Sequence, residues 1–323
     1  MRAVQIQTLD GPGALRVVEI EEPAAGGDQV VIDVHSAGVT FPEVLQSRGK
    51  YQIQPPLPFV PGSEVAGVVR YAPEGAAVRA GDRVAAFNGS AGYAEVVAAD
   101  PRMVFPLPDR LSFAQGAALP MNYLTVHFGL VHRGRLSEGE TVLVHGAAGG
   151  IGTAAVQLAS ALGNRVIAVT SSEAKIETAR AAGATDVVLA EGFREQVKEL
   201  TDGRGVDVVV DPVGGDRFTD SLRSLAVEGR LLVIGFTGGD IPTVKVNRLL
   251  LNNISVVGVG WGAFWMSRGL DYLQEQWADL LPLLEAGKLD PVLGAQFPLE
   301  EATQALLELD ERRAQGKVLL TVR

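Results

Sequence analysis

Hydrophobic residues in the first 120 or so positions fall in short runs and not at helical spacing. The segments RVVEIEEP, QVVIDVHSAGV, EVAGVVRYAP and DRVAAF are rich in β-branched residues and are separated by Gly and Pro. Such runs predict short strands, and no long amphipathic helix interrupts them. This part of the chain therefore predicts a small β-barrel or sandwich-like domain.

From about Leu124 the pattern changes to apolar strands that alternate with helical segments. The predicted strands are Thr141–Val144, Arg165–Val169, Asp186–Leu189, Val206–Asp211, Arg230–Ile234 and Ile254–Val259. The predicted helices are Ile151–Leu162, Glu173–Ala182, Phe193–Leu200 and Arg217–Ala226, with a short last connection near Arg248–Leu251. This alternation predicts an α/β, doubly wound parallel sheet. Six strands are the full complement of a dinucleotide-binding domain.

After about Trp261 the chain carries one helical run and then a strand, a helix and a strand. This piece is too short to fold comfortably alone, so we expect it to return and complete the first domain. The predicted domains are 1–123 for the N-terminal part of the catalytic domain, 124–262 for the nucleotide domain and 263–323 for the return segment.

Composition and charge exclude several classes of function. The chain is 47% hydrophobic and 20% charged, which is typical of globular proteins. Its net charge of -10 disfavours nucleic-acid and anionic-membrane partners. The chain has no cysteine, which excludes disulfides, thiolate catalysis and cysteine zinc sites. It shows neither the apolar core of a signal peptide nor a bilayer-spanning run, so we expect a cytoplasmic protein.

The segment HGAAGGIG follows the first strand of the alternating region and opens its first helix. Gly149, Gly150 and Gly152 have no Cβ, so a phosphate can approach the backbone and the helix can pack tightly on the strand. The helix beginning at Ile151 points its free N–H groups at the same space. This variant of G-x-G-x-x-G has Ala147 in place of the first glycine, and its context favours a dinucleotide over simple close packing.

The end of the second strand distinguishes between the two nicotinamide dinucleotides. An NAD site usually has an acidic residue there, but this chain has Thr170, followed by Ser171, Ser172 and Lys175. Hydroxyl groups and one cation suit a 2′-phosphate, and one such cation is worth roughly 1–4 kcal/mol. The other interpretation is that the two serines only cap the helix at Glu173. We expect NADPH as the cofactor.

These motifs resemble the medium-chain dehydrogenase/reductase superfamily, and within it the zinc-free NADPH:quinone oxidoreductases of the zeta-crystallin branch. The resemblance runs nearly end to end. It is carried by SAGVTFPEVLQSRGKY, PPLPFVPGSEVAGVV, GDRVAAF, GYAEVV, LSFAQGAALPMNYLTVHFGL, GETVLVHGAAGGIGTAAVQLA, GVDVVVDPVGG, GRLLVIGF and GKVLL. It implies a GroES-like, β-barrel-type catalytic domain plus a Rossmann domain with a doubly wound, six-stranded parallel sheet.

The resemblance implies that no metal takes part. The zinc alcohol dehydrogenases of the superfamily have a cysteine where this chain has Thr40, and a Gly-His-Glu motif where it has Gly62-Ser63-Glu64. The cysteine-rich lobe for structural zinc is absent, and the four histidines do not have ligand spacing. Without a Lewis acid, alcohol oxidation is disfavoured. Hydride addition to an electron-poor quinone or enone is favoured.

The cofactor contacts implied by the resemblance follow the ends of the parallel strands. They are Thr125, Ala148, Gly149, Gly150, Ile151, Ser171, Ser172, Lys175, Val213, Gly214, Gly235, Phe236, Trp261, Gly262 and Lys317.

The residues expected to line the substrate cleft depart from the better-known quinone reductases. They are Thr40, Phe41, Leu45, Tyr51, Asn122 and Trp261. Thr40 replaces an asparagine of those enzymes, Leu45 an active-site tyrosine, and Ala190 a tyrosine near the 2′-phosphate. Tyr51 matches a cleft tyrosine, which would stack on a flat quinone or donate a proton. The other interpretation of Tyr51 is that it only closes a loop.

Three functions remain open from the sequence. The first is hydride transfer from NADPH to a quinone, in a cleft between the two domains. The second is reduction of an enone or enoyl thioester on the same scaffold, for which Tyr51 is the candidate proton donor. The third is NADPH binding without turnover, in a crystallin-like, sensor or RNA-binding role, although the acidic charge argues against RNA.

The sixth predicted strand also suggests how copies of the chain associate. Ile254–Val259 is apolar and would lie at a sheet edge, where it can pair with the same strand of a second copy. We therefore expect a homodimer through this strand, unless the return segment covers it.

Overall fold

The computed structural model describes residues 1–323, with fifteen strands and eleven α-helices. The strands are β1 (Arg2–Ile6), β2 (Leu15–Glu19), β3 (Val30–Gly38), β4 (Glu64–Tyr71), β5 (Arg83–Phe87), β6 (Val96–Ala99), β7 (Val104–Pro106), β8 (Thr141–His145), β9 (Arg165–Thr170), β10 (Asp186–Leu189), β11 (Val206–Asp211), β12 (Leu225–Val233), β13 (Ser255–Gly258), β14 (Leu293–Pro298) and β15 (Lys317–Thr321). The helices are α1 (Phe41–Ser47), α2 (Phe113–Gly116), α3 (Pro120–His127), α4 (Gly150–Ala161), α5 (Ile176–Ala181), α6 (Phe193–Leu200), α7 (Phe218–Arg223), α8 (Asn247–Asn252), α9 (Trp261–Arg268), α10 (Asp271–Glu285) and α11 (Ala302–Asp310). None of these helices has both the length and the apolar character needed to cross a membrane.

The chain packs as two units, each with one large sheet, and β1 and β2 pair antiparallel in a separate two-stranded sheet of the first unit. One unit contains Met1–Asn122 together with Gly269–Arg323, and the other contains Tyr123–Arg268. The end of the chain thus packs with its beginning. The strand β15 pairs antiparallel with β3, and β14 pairs parallel with β15.

The first unit is built around the long strand β3. Its sheet has the order β14-β15-β3-β4-β5-β7, and β6 pairs with another part of β3. The nine residues of β3 are enough to hold these three partners because β6 pairs with Val30–Asp33 and β15 with Ser36–Gly38, at opposite ends of the strand, while β4 pairs along its length. Alternate side chains such as Ile32 and Val34 enter one hydrophobic core, which the returning Leu320 and Leu306 complete.

The second unit is a six-stranded sheet with the order β10-β9-β8-β11-β12-β13. Every neighbouring pair is parallel. Central strands are buried on both faces, as Val142, Leu143 and Val144 of β8 show. The prediction of a doubly wound, six-stranded parallel sheet is confirmed, and β13 is its edge strand.

Two predicted helices differ from the structure at their ends. The helix predicted over Arg217–Ala226 ends at Arg223, and β12 already begins at Leu225. Leu225 is in register with Val206 of β11, so pairing with a neighbouring strand overrides the local helical pattern. The helix predicted from Glu173 begins as a 3₁₀ turn and becomes α-helical only at Ile176.

Candidate active site

The glycine motif forms the turn between β8 and α4. Gly146 has a positive φ of 59°, a conformation that favours glycine. A Cβ on Gly152 would overlap the Gly146 carbonyl oxygen, so α4 approaches the turn too closely for any side chain there. Gly149 occupies the N-cap position, and no side chain caps the helix. The N–H groups of the first helical turn therefore suit an outside acceptor such as a phosphate.

The turn lies where ligands bind in sheets of this kind. The strand β8 stands between β9 and β11, the point at which the strand order reverses. At this point Ala148 is buried, whereas Gly150 and Ile151 remain partly exposed. The backbone of the turn is thus accessible at the carboxyl edge of the sheet, and it fits a pyrophosphate.

The end of β9 presents hydroxyl groups and one amine. Ser171 and Ser172 are exposed, and Ser172 takes the N-cap position of the following turn without a side-chain hydrogen bond to it. Helix capping therefore does not use this hydroxyl group. Lys175 is partly buried one turn later, and burial lowers the pKa of its amine. The side chain of Glu173 is exposed.

A backbone hydrogen bond connects the loop after β11 with the loop after β12. The Gly238 N–H donates to the Val213 carbonyl at 2.8 Å. Gly214 has a positive φ of 66°, and a Cβ there would lie 2.8 Å from the ring of Phe236. The structure therefore brings together Val213, Gly214, Gly235 and Phe236, all of which the sequence analysis placed at the cofactor.

The sequence analysis missed Asp211, which shapes these loops. Asp211 ends β11 and is buried, and its Oδ1 accepts hydrogen bonds of 2.9 Å from the N–H groups of Val213 and Gly214. An Asp-Pro pair at the end of an apolar strand was the available signal, because Asp side chains commonly bind nearby backbone N–H groups.

Several other expected site residues are buried within their own units. Thr125 lies on α3 and Trp261 at the start of α9, and both are buried. Asn122 on α3 is also buried, whereas Gly262 is partly exposed and has open space where a side chain would project. The roles of these residues in cofactor or substrate binding stay predictions.

The expected substrate residues of the first unit cluster around α1. Thr40 is the N-cap residue of this helix, and Phe41 and Leu45 lie on one face of it, four residues apart. Phe41, Leu45 and the nearby Tyr51 are partly buried. Burial and the carboxyl group of Glu43 raise the pKa of Tyr51, so its phenol keeps its proton at neutral pH.

Glu43 is a second residue that the sequence analysis missed. It is fully buried, and its Oε2 accepts hydrogen bonds from the Thr40 hydroxyl and, at 2.7 Å, from the Thr40 N–H. Its Oε1 accepts a hydrogen bond of 2.7 Å from Ser63 Oγ. The signal was the segment TFPE, which matches the capping-box pattern at the start of a helix.

A buried ion pair joins the two ends of the first unit. Lys317 Nζ contacts Glu64 Oε1, and the exposed fractions of the two side chains are 4% and 0%. Glu64 Oε2 accepts a hydrogen bond of 2.7 Å from the Met121 N–H. The Lys317 ammonium group thus has a protein partner, and its role at the cofactor stays a prediction.

Two of the histidines, His35 and His145, contact neighbouring side chains within the protein. His35 stacks on Phe113 with ring centroids 4.2 Å apart. Burial lowers the pKa of His145 to about 4, so this side chain is neutral at pH 7, and its Nε2 lies 2.8 Å from Ser221 Oγ. No group of three or more His, Cys, Asp or Glu side chains is arranged to hold a metal ion.

Comparison with known proteins places this geometry in a family. Residues 26–109 match the family described as "Alcohol dehydrogenase GroES-like domain", and residues 150–286 match "Zinc-binding dehydrogenase". A curated relative, quinone oxidoreductase-like protein 2 of Mus musculus, is 38% identical over 96% of this chain and 89% of its own length.

Solved structures agree with this assignment. A probable oxidoreductase from Mycobacterium abscessus is 48% identical, with a TM-score of 0.91 over 100% of this chain and 99% of its own. The quinone oxidoreductase from Thermus thermophilus, which was also solved in complex with NADPH, is 36% identical, with a TM-score of 0.86 over 100% of both chains. The chain belongs to the quinone oxidoreductase family of medium-chain dehydrogenases/reductases.

Membership confirms three predictions made from the sequence. The resemblance to the quinone oxidoreductases is real, the protein is an oxidoreductase, and the fold combines a GroES-like domain with a Rossmann-type sheet. One of the matching family descriptions names zinc, but this chain has the hydroxyl side chains of Thr40 and Ser63 at the two positions where the resemblance implies a cysteine and a histidine in zinc relatives.

Replacing Lys317 by Met is expected to destabilise the protein by roughly 3–5 kcal/mol, because Glu64 would keep an uncompensated buried charge. Adding Glu64→Gln to Lys317→Met should recover much of the loss, since the amide oxygen still accepts the Met121 N–H. Urea unfolding of the two single variants and the double variant measures this coupling. If the loss of stability in the double variant equals the sum of the losses in the two single variants, Lys317 and Glu64 are not energetically coupled.

Proposed function

We propose that this protein is a zinc-independent reductase that transfers hydride from NADPH to a quinone. The observation that carries the proposal is the pair of features at the carboxyl edge of the Rossmann sheet. The glycine turn leaves a helix N-terminus open to a pyrophosphate, and the end of β9 offers Ser171, Ser172 and Lys175 where an NAD site would have a carboxylate.

The residues for NADPH come mainly from the second unit. The turn Ala148–Ile151 would hold the pyrophosphate, and Ser171, Ser172 and Lys175 would hold the 2′-phosphate. The joined loops at Gly214 and Phe236 would support the nicotinamide half of the cofactor. When bound, NADPH supplies a hydride from C4 of its nicotinamide ring. The NADPH complex of the Thermus thermophilus relative supports this choice.

The side chains near α1 favour an acceptor that is already electron-poor. Thr40 and Ser63 provide hydroxyl groups where zinc relatives provide metal ligands, and hydroxyl groups are not typical zinc ligands. A quinone does not need a Lewis acid for activation. The task of the residues around α1, Phe41 and Tyr51 among them, would then be to position the acceptor and exclude water.

One observation favours the enone or enoyl-thioester alternative. Tyr51 is partly buried close to Glu43, and its phenol, which is protonated at neutral pH, can donate a proton to the enolate that such a reduction forms.

The deciding experiment follows NADPH oxidation by the purified protein with a naphthoquinone and, separately, with a 2-enoyl thioester, each with and without a chelator. We expect faster turnover with the quinone and no effect of the chelator. Faster turnover with the thioester would assign the alternative function. Tight NADPH binding without oxidation by either acceptor would indicate a binding protein, and inhibition by the chelator would contradict zinc independence.

Lys175→Ala tests the preference for the phosphorylated cofactor. We expect NADPH affinity to fall about tenfold or more with little change for NADH, because NADH has no 2′-phosphate for the ammonium group to attract. Fluorescence titration with each dinucleotide measures both affinities. The matched control is Lys198→Ala, which removes an exposed lysine on α6 and should leave both affinities unchanged. Unchanged NADPH affinity in Lys175→Ala would contradict the assignment.

A homodimer through β13 is part of the proposal. This strand pairs with β12 on one side only, and the return segment adds its strands to β3 in the other sheet. Close by in the chain, four apolar side chains are between 72% and 76% exposed, namely Ile241, Val246, Leu250 and Leu251. A second copy that pairs with the edge strand by two-fold symmetry would cover such a surface.

Leu250→Glu is expected to convert the dimer into a monomer, because it would place two like charges in the two-fold interface. Size-exclusion chromatography with light scattering measures the mass. Val17→Glu is the control, since Val17 is also exposed but lies on β2, which pairs with β1 in the first unit. A wild type that is monomeric at micromolar concentration would contradict the dimer.

A further inference from the structure

The carboxyl group of Glu43 occupies an unusual position at the beginning of α1. It is 0% exposed, and three donors from Thr40 and Ser63 point at its oxygens. Taking a carboxylate out of water costs several kcal/mol unless a cation accompanies it. The protonation state of this group therefore needs a physical explanation.

Helix capping alone does not explain a buried carboxyl group. A second capping box in the same unit, at the start of α2, uses the neutral Gln115, and its Ser112 N–H donates to the Gln115 amide oxygen at 2.8 Å in an exposed setting. An amide oxygen is thus sufficient for the same backbone contact. The carboxyl group of Glu43 can also gain or lose a proton, which helix capping does not require.

The buried charges around Glu43 do not balance if both carboxyl groups are ionised. Two buried glutamates, Glu43 and Glu64, face a single ammonium group, that of Lys317. Lys317 contacts Glu64, and no cation forms an ion pair with Glu43. The phenol groups of Tyr51 and Tyr93 also face Glu43, and burial raises the pKa of both, so they are neutral.

Burial also raises the pKa of Glu43 and outweighs the opposing hydrogen bonds from Thr40 and Ser63 and the more distant charge of Lys317. The charge balance and the burial agree that Glu43 carries a proton more readily than an exposed glutamate. A protonated Glu43 can donate a hydrogen bond to the hydroxyl oxygen of Thr40 or of Ser63. The hydroxyl group that accepts this bond then points its own proton away from the carboxyl group.

We propose that Glu43 holds the proton that the acceptor takes up after hydride transfer, and passes it on through the hydroxyl group of Thr40. This inference rests on the proposed function, because it assumes a carbonyl acceptor near α1. Thr40 is the suitable intermediary, since its Oγ contacts Glu43 Oε2 and it is the N-cap residue of α1, the helix that carries Phe41 and Leu45.

The step balances as follows. Bound NADPH would supply the hydride that converts the quinone to a hydroquinone anion, and it would leave as NADP⁺. The anionic oxygen takes the proton of Thr40 Oγ, while Thr40 Oγ takes the proton of the Glu43 carboxyl group. Glu43 is left as a carboxylate and is reprotonated from solvent. Glu43 is thus a positioning and proton-holding residue behind Thr40, and it does not touch the acceptor itself.

Glu43→Gln tests the proposal because it keeps the size and the backbone contact and removes the proton. We expect kcat for NADPH oxidation with a naphthoquinone to fall about 100-fold with KM unchanged. In the wild type, kcat should fall as the pH rises through the raised pKa of Glu43, because the carboxyl group then loses its proton. This pH dependence should be absent in the variant.

A second pair of variants tests the intermediary without touching Glu43. Thr40→Val removes the hydroxyl group but leaves the Thr40 N–H bond to Glu43, and should lower kcat as Glu43→Gln does. Thr40→Ser restores the hydroxyl group and should restore the rate. Equal rates in Thr40→Val and wild type would overturn the proposed route.

Infrared spectroscopy tests the proton on Glu43 independently of turnover. The wild-type-minus-variant spectrum near pH 7 should contain the carbonyl band of a protonated carboxyl group for Glu43→Gln. It should lack that band for the control Glu140→Gln, since the Arg230 guanidinium forms an ion pair with Glu140 and helps to lower the pKa of that carboxyl group.

The outcomes separate this inference from the proposed function. A wild type that oxidises no NADPH with any acceptor overturns the proposed function, whereas the infrared band still reports the proton. An active wild type whose Glu43→Gln variant keeps the same rate and pH profile overturns the proton-holding role. A carboxylate band in place of the protonated band overturns it as well.

Discussion

The buried ion pair between Lys317 and Glu64 is the contact on which the first unit depends. It joins residues 253 positions apart, the first residue of β15 and the first of β4. Two charges leave water here, and their contact, with the hydrogen bond from the Met121 N–H, must offset that cost. The return of the chain end thus supplies the cation that accompanies the buried Glu64. Because Lys317 forms its ion pair with Glu64, no cation forms an ion pair with Glu43.

The second unit builds its site from main-chain groups. Gly152 allows α4 to approach the turn, Gly146 provides the positive φ, and the Asp211 carboxylate orients two N–H groups of the next loop. Such an arrangement of backbone N–H groups suits phosphate groups. Backbone groups do not distinguish NADPH from NADH, so our proposal assigns that distinction to the side chains that follow β9.

In the proposed reaction the two units have different tasks. The Rossmann unit would hold the hydride donor, and the unit that carries α1 would supply the acceptor surface and the proton. The absence of metal-binding side chains at Thr40 and Ser63 suits this division, because the hydroxyl groups can relay a proton and need not polarise an alcohol. In the proposed reaction, a fold shared with zinc dehydrogenases would thereby support reduction of an acceptor that carries its own activation.

Periodicity and motif spacing were enough to predict the order of strands and helices in the Rossmann unit, the glycine turn that opens its first helix and the return of the last segment. The phosphate-binding role of that turn stays a prediction. The start of β12 at Leu225 was not predictable, since it depends on pairing with Val206. The burial of Glu43 and Asp211 and the partner of Lys317 were also missed. The sequence identifies a residue as glutamate or aspartate but does not show whether its carboxyl group faces water or the protein interior. Its environment, and hence its charge, is set by residues that only folding brings near.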